Sequence, residues 1–238
     1  MIVTWPTEYV AIIPARAGSK RIPRKNLQKV AGRTLIEWSI EHVRAARRPL
    51  RAVVTTDDPE ISRHAADLGA EVPTLRPPEL ATDHSPTEPA LLHTLSTLPG
   101  AEHTKAVVLL QPTSPVRLPQ SVDGAIDLYE SSGASSVFSA VSAPPFLWRG
   151  QLSPRPLYDI AHRPRSQDVP PAQQIFRENG SVYVTSLTHL GATGNRLGPD
   201  AAMFVMAPEE GIDIDDPLDI ALAELVLTRL VSTGHASR

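Results

Sequence analysis

The chain has 238 residues, enough to bury a full α/β core, and no cysteine, which excludes disulfides, thiolate metal sites and a cysteine nucleophile. A formal net charge of −3 and a pI near 6.2 exclude a polycation that coats nucleic acid or an anionic membrane, so any basic cluster is a local device. No apolar run approaches the roughly 20 residues of a membrane span, and MIVTWPTEYV lacks the features of a secretory signal, so a soluble cytoplasmic protein is expected.

In chain order, YVAIIP (residues 9 to 14) reads as a buried first strand. Behind it, IIPARAGSKRIPRKNL (12 to 27) gathers Arg16, Lys20, Arg21, Arg24 and Lys25. Thr34 and Glu37 form a capping box that opens a helix with an apolar face at Ile36, Ile40 and Val43. RAVVT (51 to 55) is a second strand, and DPEISRHAADLGA a second helix that stops at Gly69. Ser85, Pro86 and Glu88 read as the N-cap, first and third positions of a helix running to about residue 98, and AVVLL (106 to 110) as a central strand.

A helix over 121 to 131 and a strand over 135 to 141 come next. From 144 to about 177 the chain is rich in proline and arginine with weak periodicity, too long for an ordinary connection, and reads as a flap or a dimer arm. Strands at 181 to 185 and 202 to 206 follow. Asp216 and Pro217 start a last helix with an expected buried stripe of Leu218, Leu222 and Leu225, and STGHASR is expected to fray.

Strands alternating with helices predict a mainly parallel sheet covered by helices, with ligands at the carboxyl ends of the strands. That rule brings together the loop after Pro14, the TTDD after Val54, the QPTSPVR after Leu110, and Asp213 and Asp215. The basic loop matches neither a Walker A sequence nor a dinucleotide fingerprint. It nevertheless has the parts of a polyphosphate cradle: Gly18 for close backbone approach, the Ser19 hydroxyl, and charged donors from Arg16, Lys20 and Lys25.

Asp213 and Asp215 share a face of an extended segment, which suits either a hard divalent cation or the positive end of the following helix dipole. The second explanation covers Asp216 and Asp219, and Asp57 and Asp58 read as caps. Ser85 reads as a cap compatible with a ligand contact by Thr87. His64 and His93 have no partner at metal-ligand spacing, and no nucleophilic serine motif occurs.

IIPARAGSKRIPRKNL resembles the signature loop of the acylneuraminate cytidylyltransferases, the CMP-sialic acid synthetases. RPPELATDHSPT, LLQPTSPVR, SVFSAV, RPRSQD, ENGSVYVT and DIDDPLD resemble that family's later blocks in order, so the likeness runs from about Tyr9 to Leu230. Enzymes that activate the eight-carbon acid Kdo usually carry a QGDEP-like stretch where this chain has Gln111, Pro112, Thr113 and Ser114.

The resemblance implies a single Rossmann-like α/β domain of the nucleotide-diphospho-sugar transferase type over 1 to 238, with a dimerisation arm inserted at about 142 to 178. It also implies transfer of CMP from CTP to the anomeric hydroxyl of an acidic nonulosonic sugar. Carried over by position, Arg16, Ser19, Lys20 and Lys25 would hold the triphosphate, and Asn26, Arg76, Ser85 and Thr87 would contact the nucleotide. Gln111 and Tyr183 would face the acceptor, Asp213 and Asp215 would bind Mg²⁺, and Lys25, Arg165 and Asp213 would be catalytic. Arg165 would reach the site of a neighbouring subunit in a homodimer.

Leu147 stands where the family commonly has a lysine or arginine, Ser166 where a second arginine is frequent, and Arg21 where glycine is usual. These departures leave a legionaminic-type sugar, a Kdo-type sugar or a phosphonate open as the acceptor. A sugar-1-phosphate nucleotidyltransferase using another nucleotide and a non-catalytic nucleotide-binding protein also stay open. The retained Arg16, Lys25, Gln111 and aspartates argue against a non-catalytic protein.

Overall fold

Two apolar runs without a polar break lie side by side at the middle of the sheet, where both faces must be covered. A computed structural model describes residues 8–233 of the chain, and in it these runs are β1 (Tyr9–Pro14) and β5 (Ala106–Leu110). After β1 and the basic loop, a short hairpin of β2 (Lys29–Val30) and β3 (Arg33–Thr34) leads into α1 (Leu35–Ala45). Then follow β4 (Arg51–Thr55), α2 (Pro59–Asp67) and α3 (Thr87–Thr97), and beyond β5 come α4 (Ser121–Ser132) and β6 (Ser136–Ala143). A second hairpin, β7 (Trp148–Arg149) with β8 (Arg155–Pro156), precedes β9 (Ile175–Ser186), α5 (Leu187–Thr193), β10 (Ala202–Val205) and α6 (Pro217–Ser232).

The six-stranded sheet has the order β10-β6-β9-β5-β1-β4. The β1/β4, β1/β5 and β6/β10 pairs are parallel, and β9 runs antiparallel to both of its neighbours. One face packs Ala11, Ile13, Val54 and Val108 against Ile36 and Ile40 of α1, Ile61 of α2 and Ile126 of α4. The other packs Val10, Ile12, Val107 and Leu109 against Leu91 and Leu95 of α3 and Leu190 of α5. The result is the expected three-layer α/β arrangement.

The capping chemistry holds at three helix starts. The Glu37 N–H donates to Thr34 Oγ1 at 3.2 Å, with the Glu37 carboxylate returning to the Thr34 N–H. Asp58 accepts from the Glu60 N–H at 2.7 Å, and Asp216 and Asp219 form a reciprocal box on α6. The Ser85 cap does not form. α3 begins at Thr87 behind Pro86, and the Ser85 hydroxyl donates to the Glu79 carbonyl and accepts from the Thr82 N–H, closing the loop before the helix instead.

Two other expectations change. The segment expected as an arm at 142 to 178 is paired strand at both ends, with Val141, Ser142 and Ala143 opposite Arg177, Phe176 and Ile175, so the excursion is 144 to 174. The expected buried stripe of the last helix is reversed: Ala223 and Leu227 are buried, whereas Leu218, Leu222 and Leu225 face outward. α6 ends at Ser232, the first residue of the segment expected to fray, and residues 234–238 of that segment lie outside the described range. Among the described residues no helix is long and apolar enough to cross a membrane.

Candidate active site

The carboxyl ends of β1 and β5 open onto one cleft of about 640 Å³, and the TTDD after Val54, expected at the same place, is not among its lining residues. Arg16, Ser19, Lys20, Lys25, Asn26, Arg76, Ser85, Thr87, Gln111 and Asp215, all candidate site residues from the sequence, line it. They arrive there from the loop after β1, the segment between α2 and α3, the start of α3, the loop after β5 and the segment before α6. Tyr183, Arg165 and Asp213 are not among the lining residues.

The basic loop is held open by acids. Arg16 and Lys20 both reach Asp83, at 3.0 Å and 2.6 Å, and the Lys20 ammonium, with Arg16, holds the Asp83 carboxyl below the usual carboxylate range. The Ala17 N–H donates to Asp57 Oδ1 at 2.9 Å, so Asp57 orders the loop and is not a helix cap. Asn26 is buried and donates to the Arg16 carbonyl at 3.0 Å, which ties the loop's end to its start. Strand order places Asp57 near the loop but pattern reads it as a helix cap, and pattern gives Asp83 no role. Their pairing with the loop joins positions 40 and 67 residues apart, separations that no local pattern encodes.

At the far side of the cleft, Lys25 Nζ donates to the Ile214 carbonyl at 2.6 Å and lies 3.5 Å from Asp215 Oδ1. Arg21 lies 3.4 Å from Asp215 Oδ2, so the residue that replaces the usual glycine joins this wall. The Ile214 N–H donates to the Thr113 carbonyl at 2.7 Å and anchors the aspartate segment to the loop after β5. Asp213 Oδ1 is buried without a hydrogen-bond partner. Arg76, at 7% exposure, donates to the Thr55 carbonyl at 2.6 Å, and burial lowers the pKa of its guanidinium.

Beneath Gln111 the β6/β9 ladder slips between Phe138 and Ala140, which leaves the backbone of Asn179, Gly180 and Ser181 outside the regular pairing. Side chains satisfy it. Ser114 donates to the Asn179 carbonyl at 3.1 Å, and Ser139 accepts from the Val182 N–H at 2.8 Å. Arg117 donates to the carbonyls of Ser181 and Gln111 at 2.9 and 2.7 Å. Arg117 is fully buried, and that burial pushes its guanidinium down to about 9, still protonated at neutral pH, against the pull of Glu210 and Asp213. The sequence offers Arg117 inside LLQPTSPVR but no sign that it holds up the Gln111 backbone.

Gly180 sits at φ +69, and a Cβ there would stand 2.6 Å from Gln111 Oε1. Gly180→Ala is therefore expected to displace the Gln111 amide. The expected result is a loss of turnover of about tenfold or more, with nucleotide-induced thermal stabilisation unchanged. Steady-state kinetics alongside thermal shift checks it; wild-type turnover in the folded variant would show that Gln111 needs no such seat.

Tyr183 stands behind the cleft. Its hydroxyl donates to Glu178, and Arg196 covers its ring at 4.8 Å while pairing with Glu88 at 2.6 Å. Burial, then the Glu178 contact, raise the Tyr183 pKa, so it remains a neutral wall residue. Arg165 lies in the excursion and pairs with Asp168 at 2.5 Å.

Against known proteins, a cytidylyltransferase family model matches residues 10–144. The CMP-N,N'-diacetyllegionaminic acid synthase of Legionella pneumophila is 33% identical over 226 residues, covering 92% of this chain and 95% of that protein. The N-acylneuraminate cytidylyltransferase of Escherichia coli is 29% identical over 222 residues, covering 91% of this chain and 51% of that protein, so the chain spans about half of it. Among solved structures, a CMP:2-keto-3-deoxy-manno-octonic acid synthetase complexed with CTP superimposes with a TM-score of 0.67 over 93% of this chain and 98% of that one. At 16% identity this is a likeness of fold.

Proposed function

The chain belongs to the cytidylyltransferase family, and from that premise we propose that it transfers CMP from CTP to the anomeric hydroxyl of an acidic nonulosonic sugar of the sialic or legionaminic type. The observation that carries this reading is the cleft in which the loop cations Arg16, Lys20 and Lys25 face Gln111 across the ends of β1 and β5. Likeness over nearly the full length to a protein named as a legionaminic acid CMP-synthase supports the acceptor class. We place the reaction in the cytoplasm, where CTP is made.

In the reaction the sugar hydroxyl oxygen bonds to the α-phosphorus, the bond from that phosphorus to the bridging oxygen breaks, and pyrophosphate and a proton leave. Such transfers depend mainly on positioning and on neutralising charge. Ser19, Arg16, Lys20 and Lys25 take the triphosphate, with Asp83 giving up its two cations to the phosphates. Asn26, Arg76, Ser85 and Thr87 hold the nucleoside end. Gln111 orients the acceptor, and Tyr183 backs its pocket.

We assign Asp213 and Asp215 to Mg²⁺. The unpartnered, buried Asp213 oxygen and the exposed Asp215 carboxylate are hard oxygen donors two residues apart, which fits a cation that keeps waters and shares phosphate oxygens. Among the described residues no three acidic, histidine or cysteine side chains gather as a ready cage. When bound, the ion supplies charge neutralisation at the phosphates and the leaving pyrophosphate.

We assign the excursion at 144 to 174 to dimer contact and Arg165 to the neighbouring copy's cleft. The support is that the excursion leaves the large apolar side chains Trp148, Leu152, Leu157 and Ile160 exposed.

The test is pyrophosphate release from CTP with Mg²⁺ and a panel of sialic, legionaminic, pseudaminic, Kdo-type and phosphonate acceptors. Release is expected only with an acidic acceptor, highest with a sialic or legionaminic acid; silence across the panel removes the reading. Thermal shift with the four nucleotides is expected to favour CTP, and preference for UTP or dTTP would point to a sugar-1-phosphate enzyme instead.

A further inference from the structure

α6 has two apolar faces. Its inner face sets Ala223 and Leu227, flanked by Ile220 and Leu230, against Val30, Leu35, Trp38 and Val116. At about 100° per residue, Leu218, Leu222 and Leu225 fall on one narrow stripe on the opposite side. They are 77%, 47% and 69% exposed. A helix apolar on opposite sides is the pattern of one covered on both, and leucines at i, i+4 and i+7 are the anchor spacing of a docked helix face. Apart from Asp213 and Asp215, which belong to the cleft, the helix and its start are acidic: residues 216 to 232 hold Asp216, Asp219 and Glu224 against the single cation Arg229.

The same chain carries a complementary surface. The excursion exposes Trp148, Leu152, Leu157 and Ile160. Its residues 144 to 174 hold four arginines, at 149, 155, 163 and 165, against Asp159 and Asp168. Its base is stiffened by Tyr158, packed edge-on against Phe146 and Trp148, and by Arg163 stacked 4.1 Å over Phe146.

We propose that the arm of a second copy of this chain lies along the outer face of α6, its apolar residues covering Leu218, Leu222 and Leu225 and its arginines facing the acids at the helix start. The inference rests on the dimer reading above and adds the place where the arm lands. The contact is reciprocal, each copy giving one arm and receiving one, as a two-fold axis requires. Because α6 starts two residues after Asp215, an arm seated there runs toward the cleft, where Arg165 is needed.

The chain has no cysteine, so introduced thiols report contacts without background. Leu225→Cys and Ile160→Cys chains are co-expressed and mildly oxidised, with Ser131→Cys on α4 paired with Ile160→Cys as the control. Cross-linked dimers are expected for Leu225→Cys with Ile160→Cys, and neither for Leu225→Cys alone nor for the control. Leu222→Glu is expected to weaken dimerisation by about thirtyfold or more in light scattering, with CTP-induced stabilisation retained.

A dimer that forms no such cross-link overturns the landing site while leaving the arm reading standing. Self-linking of Leu225→Cys overturns it in favour of α6 pairing with α6. A monomer at micromolar concentration overturns both, and the CTP response, which needs no partner, reports separately on the nucleotide reading.

Discussion

Lys25→Ala is expected to lower turnover about a hundredfold or more, the usual effect of deleting one preorganised donor at a developing negative charge. The ammonium is held in advance: only 16% of the side chain is exposed, and Nζ donates to the Ile214 carbonyl at 2.6 Å while lying 3.5 Å from Asp215. It thus joins the phosphate-facing loop to the aspartate segment. A compact ammonium suits that junction, and Lys25→Arg is expected to recover little because a planar fork cannot occupy the same point. Turnover is measured alongside the melting transition. A folded Lys25→Ala chain with near-wild-type turnover would remove Lys25 from the chemistry.

Asp213→Asn is expected to reduce turnover by a similar factor and to raise the Mg²⁺ concentration needed for half-maximal activity. Its stability should not fall. Asp213 is half-buried with its Oδ1 unpartnered, so neutralising it removes no hydrogen bond from that oxygen, and residues kept for function often cost stability. Arg117, which feels Asp213, retains Glu210 and its carbonyl acceptors. Lost activity with an unchanged or raised melting temperature is the signature of a residue kept for function. A large drop in melting temperature would mark Asp213 as structural, and full activity would mark it as idle.

Much of the site was legible because its parts are local. β4 and β5 match the expected bounds because fully buried strands read as unbroken apolar runs. The Thr34–Glu37 box satisfies neighbouring backbone groups over three residues, so a short pattern suffices. The gathering of the loop after Pro14, Gln111 and Asp215 followed from the rule that strand ends present together, whereas Arg76 entered through the resemblance and the TTDD after Val54 does not line the cleft.

What the sequence by itself determined is therefore the element order, the strand-end cleft and its cationic loop. Only the tertiary structure decided which acids hold that loop, since Asp57 and Asp83 meet it across dozens of residues. It also decided that Ser85 closes a loop, that Arg117 answers the unpaired carbonyls beside the β9 slip, and that α6 turns Leu218, Leu222 and Leu225 outward. Periodicity finds an apolar stripe, but a helix with two such stripes is oriented by whatever already fills the core. Here Val30, Trp38 and Val116 leave room for Ala223 and Leu227.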